Sequence, residues 1–153
     1  MPDVHDKTTR SRNMAAIRGK DTKPELAIRR GLHARGFRFR LHAPYLPGKP
    51  DLVMKKYQAT VFVHGCFWHM HDCPRFKMPS GGNAGFWRGK LLRNSQRDRE
   101  VADALLAIGW RRFVVWECAL VGKGRKDLPM VVETVAKWLA SEAETGDISG
   151  KFD

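Results

Sequence analysis

The stretch Val61–Cys73, reading VFVHGCFWHMHDC, constrains this chain more than any other. Val61, Phe62 and Val63 have the character of a buried β-strand, and the apolar run stops at His64. Three histidines, two cysteines, two aromatics and a glycine then follow within ten residues. Any fold built around this stretch must deliver metal ligands, acid–base groups and aromatics from the end of one strand. The plainer alternative is a buried strand followed by a metal loop that only holds the fold.

The flanking sequence supplies the rest of a layered domain. Asp21-Thr22-Lys23-Pro24-Glu25 is a helix start: Thr22 caps, Pro24 lies in the first turn, and Glu25 completes a capping box. The helix runs to about Arg35, with Ile28 and Leu32 on one face, and Gly36 stops it. Glu25 therefore has a structural explanation that any catalytic role must exceed. Residues 37–41 alternate apolar and basic, as a half-buried strand does. After a proline-rich turn, Asp51–Met54 and Ala59–Val63 form a hairpin that brings Asp51 near His64. Residues 74–84 form a loop. A long helix follows, with Val101, Ala104, Leu105 and Ile108 on one face. Trp110–Trp116 is a further buried strand, ending in Glu117-Cys118. Leu128 to about Ala143 is a last helix, with Val132, Val135 and Leu139 aligned. The order predicts a mixed α/β layer with helices covering a central sheet. Residues 1–20 form a basic arm, 21–144 the main domain, and 145–153 a flexible acidic tail.

Charge narrows the partner. The net charge is +12 over 153 residues, with a basic N-terminal arm. Such a field fits a polyanion, nucleic acid above all. No apolar run approaches the roughly 18 residues of a membrane span, and the N-terminus lacks the apolar core of a secretory signal, so an intracellular protein is expected. Three cysteines in such a chain argue against a disulfide framework and for a metal.

Three constellations carry chemistry. Cys66, His71, Cys73 and Cys118 offer four N/S ligands of the kind that hold structural zinc, with His69 a rival to His71. Asp51 at the edge of a strand can bind Mg²⁺, and His64 and His69 can move a proton near neutral pH. Together, in a basic protein, these suggest phosphodiester hydrolysis. Phe67, Trp68, Phe86 and Trp87 suit stacking on bases or wedging between base steps, or else cover the metal loop as a small core.

The segments DVHDKTTRSRNMAAI near the start, LPGKPD ending at Asp51, HGCFWHMHDC from His64 to Cys73, Phe86-Trp87, Arg97-Asp98 and VWECAL from Val115 to Leu120 carry a resemblance. Across roughly Asp3 to Ala143, the chain resembles the very-short-patch-repair (Vsr) DNA mismatch endonucleases. The resemblance implies a restriction-endonuclease-like, PD-(D/E)XK-type mixed sheet flanked by helices, with a structural zinc site. It implies a strand-specific nick 5′ of the T in a T:G mismatch left by 5-methylcytosine deamination, the step that initiates very short patch repair. By resemblance, Asp51 holds catalytic Mg²⁺ with the backbone carbonyl of Val63. His69 paired with Asp98 is the acid–base group, His64 lies at the scissile phosphate, and Glu25 sits at the edge of the site. Cys66, His71, Cys73 and Cys118 hold structural Zn²⁺. Phe67, Trp68 and Trp87 intercalate from the major groove, and Met14 presses in from the minor-groove side.

The implied partner is double-stranded DNA, with mismatch-repair proteins and a companion cytosine-5 methyltransferase beyond it. The implied protein is a monomer in the nucleoid-associated cytoplasm of a bacterial-type cell. Two features depart from the family pattern. Val63 stands where threonine is common, and little motif-level similarity follows Leu120. The alternatives to this reading are a restriction-type endonuclease acting on unmodified duplex and a non-catalytic, zinc-stabilised DNA-binding module.

Overall fold

The computed structural model describes residues 21–152; the basic arm expected at residues 1–20, Met14 included, lies outside the described residues. The first helix, α1, spans Lys23–Ala34. The Thr22 hydroxyl accepts the Glu25 N–H at 3.4 Å, as the cap predicts. The returning Glu25 carboxylate bonds the Asp21 N–H at 3.2 Å instead of that of Thr22. Ile28 and Leu32 are fully buried, and Glu25 continues their stripe one turn earlier. Gly36, at φ 92, takes the left-handed conformation that ends the helix.

Five strands follow: β1 (Arg40–Leu41), β2 (Leu52–Met54), β3 (Ala59–His64), β4 (Arg111–Trp116) and β5 (Thr145–Ile148), lying side by side in chain order. β1, β2 and β3 pair antiparallel, whereas β3–β4 and β4–β5 are parallel. Each parallel step needs a crossover. The helix α2 (Ala84–Ala107) carries the first and α3 (Leu128–Ala140) the second.

The sheet is covered on both faces. Leu52, Met54, Val61, Phe113 and Val115 pack with Ile28 and Leu32 of α1 and with Val131, Val132, Val135 and Leu139 of α3. Val53, Phe62 and Val114 point the other way, toward Leu105 of α2 and toward Ala43 and Leu46. Fully burying each such side chain contributes about 1.5–3 kcal/mol before conformational entropy is set against it. Among the described residues, no helix is long and apolar enough to cross a membrane.

Three expectations are corrected. The segment 37–41 is strand only at Arg40–Leu41, although Phe37 and Phe39 do pack against the core as the alternation required. On α2 only Leu105 of the expected face is fully buried, and Ile108, beyond the last helical residue, is 57% exposed. The tail expected from residue 145 is a strand: Thr145–Ile148 adds to β4, and Ile148 is buried. Gly146 makes this docking close, because a Cβ there would lie 2.8 Å from both Phe113 and Trp138. The acidic composition concealed a strand whose apolar contribution is a single isoleucine. Ile148→Ala should therefore cost about 2 kcal/mol or more in urea denaturation. A frayed tail would register under roughly 0.5 kcal/mol.

Candidate active site

Strand alternation decides which side chains meet. Asp51 precedes β2 on the same side as Val53, and His64 follows Phe62 on β3, so both face the α2 layer. His64 is the last residue of its strand and is buried. Its ring stacks on that of His69, with centroids 3.7 Å apart and planes 4° from parallel. The Trp116 ring meets it edge-on at 5.3 Å. Burial, with His69, Arg112 and His71 nearby, holds the His64 pKa well below the ordinary 6.5, so its ring is neutral at neutral pH. Its Nδ1 is buried with no hydrogen-bond partner among the described residues.

His69 Nδ1 lies 2.7 Å from Asp98 Oδ2, an oxygen brought in by α2. An ionised carboxylate only accepts, so it favours the tautomer with the proton on Nδ1 and a free lone pair on Nε2. Asp51 Oδ2 accepts the Val63 N–H at 2.7 Å, closing the gap between hairpin arms that the sequence anticipated. Burial is the largest influence on Asp51. The Val63 N–H opposes it, the facing Glu25 carboxyl adds to it, and the pKa rises from 3.8 to about 7.

Glu25, only 2% exposed, reaches this place from the first turn of α1. Its Oε2 accepts from Arg29 Nη1 at 2.7 Å and meets His42 Nε2 at 2.8 Å. Its structural role and its place beside Asp51 therefore coexist. Arg29 was legible as an i+4 partner of Glu25. His42 was not, because a lone histidine in a turn carries no pattern.

Cys66, His71, Cys73 and Cys118 offer ligand atoms all within 4.8 Å of one another, an arrangement that could hold a metal ion. His71 Nδ1 is 3.5 Å from Cys66 Sγ and 3.6 Å from Cys118 Sγ. His69 turns away toward Asp98, so of the two rivals it is His71 that joins the cluster. Burial raises the pKa of both Cys66 and Cys118, which leaves these thiols protonated unless a cation displaces the proton. The Gly150 N–H, just past β5, donates to Cys118 Sγ at 3.1 Å.

Phe67, Trp68, Phe86 and Trp87 form one cluster. Trp68 and Trp87 have ring centroids 5.8 Å apart, Phe67 lies 5.1 and 6.0 Å from them, and Phe86 is 63% exposed. The Lys90 ammonium sits 5.6 Å from the Trp68 ring and 5.8 Å from the Trp87 ring. Asn94 Nδ2 donates to the Trp68 carbonyl at 3.3 Å, tying the loop to α2. Lys90, Asn94 and Arg112 line the site without having been singled out in the sequence. One cavity of about 1190 Å³ is lined by Asp51, Glu25, His64, His69 and Asp98 together with Phe67, Trp68 and Trp87.

The raised Asp51 pKa has a consequence for stability. A carboxyl whose folded pKa lies above its unfolded value contributes stability at low pH. That contribution is lost as pH rises from about 4 through about 7. Without added divalent ion, Asp51→Asn should therefore stabilise the protein at pH 8, by roughly 1–3 kcal/mol, and change little near pH 4. Thermal melts at the two pH values check this; equal effects at both would refute it.

Comparison with known proteins agrees with this geometry. The sequence model of the family "DNA mismatch endonuclease Vsr" matches residues 2–75. The chain is 41% identical over 148 residues to the DNA mismatch endonuclease Vsr of Escherichia coli (strain K12), covering 97% of this chain and 94% of that protein. It is 42% identical over 123 residues to the type II nicking enzyme V.NmeAIP of Neisseria meningitidis, covering 80% and 87% of the two chains. With the type II nicking enzyme V.XorIIP of Xanthomonas oryzae pv. oryzae the identity is 45% over 111 residues, covering 72% and 81%. The chain belongs to the Vsr family of DNA mismatch endonucleases.

Proposed function

We propose that this endonuclease nicks one strand of duplex DNA on the 5′ side of the T in a T:G mismatch, using Mg²⁺ at Asp51 and Glu25 and a structural zinc at the cysteine cluster. The observation that carries the reading is the single cavity in which the buried Glu25 and half-buried Asp51 carboxyls, a histidine–aspartate pair, a neutral histidine and three aromatic rings converge. A sheet that presents an acid at the start of β2 and further polar groups at the end of β3 is consistent with a restriction-type nuclease fold.

The donor sets fit the two ions differently. Asp51 and Glu25 are hard oxygen donors buried against each other, and burial holds the Asp51 proton on. A hard divalent cation relieves that arrangement. For zinc, bond lengths of about 2.3 Å to sulfur and about 2.0 Å to nitrogen in a tetrahedron give an S···N edge of roughly 3.5 Å. The observed edges are 3.5 and 3.6 Å.

Bound at Asp51 with the Val63 carbonyl beside it, Mg²⁺ would supply charge neutralisation at the scissile phosphate and a lowered pKa for a bound water. The protein does the rest. His69 Nε2 accepts the proton of the attacking water, and Asp98 orients the ring and stabilises the imidazolium that forms. His64 meets the phosphate as a neutral hydrogen-bonding group. Phe67, Trp68 and Trp87 wedge into the stack beside the mismatch, and Met14 of the N-terminal arm presses from the opposite groove. A T:G wobble pair is weaker than a matched pair, so unstacking it costs less, and selectivity follows from that difference. The net charge of +12 supplies sequence-independent affinity that falls steeply with salt.

The test is a strand-resolved cleavage assay on duplexes with one T:G mismatch in randomised flanks, beside matched duplexes, with and without Mg²⁺. A Mg²⁺-dependent nick 5′ of the mismatched T is expected. Equal cutting of matched DNA would favour a restriction-type activity, and binding without cleavage would favour a non-catalytic module. Asp51→Ala should lower nicking by roughly 10³-fold or more while DNA binding and zinc remain. Cys118→Ser should lose bound zinc and most of the folded protein. Full zinc content in that variant would remove Cys118 from the ligand set.

A further inference from the structure

His42 lies in the turn between β1 and β2 with φ 48, a left-handed conformation that is unfavourable for a residue with a side chain. Its backbone N–H donates to the Asp51 carbonyl at 3.1 Å. Its ring Nε2 lies 2.8 Å from Glu25 Oε2. One residue thus touches both acids of the site, the first through its main chain and the second through its ring. The contact is sheltered, with the His42 side chain 20% exposed and that of Glu25 3%.

The turn alone does not call for histidine. Glycine or asparagine adopts this backbone more readily, so the strain is explained by what the ring reaches. Counter-charge does not call for it either, because Arg29 Nη1 already bonds the same Glu25 oxygen at 2.7 Å. What the ring adds is direction: it fixes Oε2 from a second side, while Oε1 accepts the Asp21 N–H.

We propose that His42 is a positioning residue for the divalent-cation site, clamping Asp51 through its backbone and aiming the Glu25 carboxylate through its ring. The proposal rests on the assignment of Asp51 and Glu25 as that site. Hydrogen bonds that orient ligating groups tune metal affinity, and losing one typically costs about ten- to a hundredfold.

Three variants separate this role from a structural one. His42→Asn suits the left-handed backbone and is too short to reach Glu25. His42→Gln can place an N–H near the position of the ring nitrogen. His42→Gly relieves the backbone fully and repeats the asparagine test if that variant is unstable. Each is compared with the parent in three measurements: thermal midpoint without divalent ion, Ca²⁺ affinity by calorimetry on the mismatch-DNA complex, and the Mg²⁺ concentration giving half-maximal nicking.

His42→Asn should melt with the parent yet bind Ca²⁺ roughly tenfold or more weakly, with a matching rise in the Mg²⁺ requirement. His42→Gln should recover most of the loss. Parent-like Ca²⁺ affinity in His42→Asn would overturn the proposal, and so would a glutamine variant no better than asparagine. The parent and Asp51→Ala are run alongside. If those two bind Ca²⁺ equally, the cation-site assignment itself fails, and the His42 proposal fails with it.

Discussion

The parallel ladder between β3 and β4 is the contact on which everything chemical depends. It aligns Ala59 with Arg111 at one end and His64 with Trp116 at the other, so both strands point the same way and finish together. Cys66 and Cys118 each lie two residues beyond that shared finish, which is why ligands 52 positions apart in sequence can meet one histidine. An antiparallel pairing would send them to opposite edges of the sheet. The same finish sets His64 beside Trp116, and α2, the crossover that parallel pairing requires, delivers Asp98 to His69 on its way back. The four-donor cluster and the His69–Asp98 pair are therefore two consequences of one register.

Burial then sets the chemistry of that strand end. Water is excluded from His64, from Glu25 and largely from Asp51, and each answers differently. Among the described residues His64 has no hydrogen-bonded acidic partner, and it stays neutral. Glu25 receives Arg29, His42 and a backbone N–H. Asp51 receives the Val63 N–H, faces the Glu25 carboxyl and holds its proton up to about pH 7. An acid kept this way is costly for an empty protein near neutral pH and favourable for one that binds a cation, since the desolvation opposing ionisation also strengthens attraction to a divalent charge. With a cation bound at Asp51 as proposed, stability without metal and affinity for metal would trade against each other at this residue.

Much of this was legible in the sequence, for reasons that differ by residue. The strand–loop chemistry of Val61–Cys73 could be read because an apolar run that stops at histidine has few other meanings. Cys118 could be read because only one cysteine remained to complete a four-donor set. The approach of Asp51 to the His64 end of β3 followed from the lengths of the hairpin arms, and Asp51 meets the Val63 N–H there. Other features left no trace. β5 is mostly polar, and it is a strand because β4 offers an open edge and Ile148 a single apolar anchor. His42 sits in a proline-rich turn where its role comes from a positive φ and a partner 17 residues away, neither of which a periodicity can encode. Arg112 belongs to a strand that is apolar from Phe113 to Trp116, yet it lines the cavity and lies over the Phe62 ring at 5.5 Å. Pattern reading finds residues whose neighbours in sequence are their neighbours in space, and these residues are not among them.

The segment between His64 and Cys73 has no helix or strand to hold it, yet it carries His69 and two of the aromatic rings. Its local backbone hydrogen bonds are few: His69 N–H to the Gly65 carbonyl, Met70 N–H to that of Phe67, His71 N–H to that of Cys66 and Cys73 N–H to that of His71. Met70 is also held at φ 50. A loop this short and irregular has little of its own with which to fix a side chain to the tolerance that proton transfer demands. A metal held by the four-donor cluster, as proposed, removes that difficulty, because Cys66 and His71 bracket His69. The His71 ring stacks on Trp116 at 4.0 Å, and the loop is thereby fastened to the end of β4. Gly150 extends the fastening to β5 through its N–H on Cys118. The cluster contributes no reacting atom of its own. Its part in the proposed chemistry, with a metal bound, is to make an irregular loop as rigid as the sheet beneath it, so that His69, already bonded to Asp98, has one place to be.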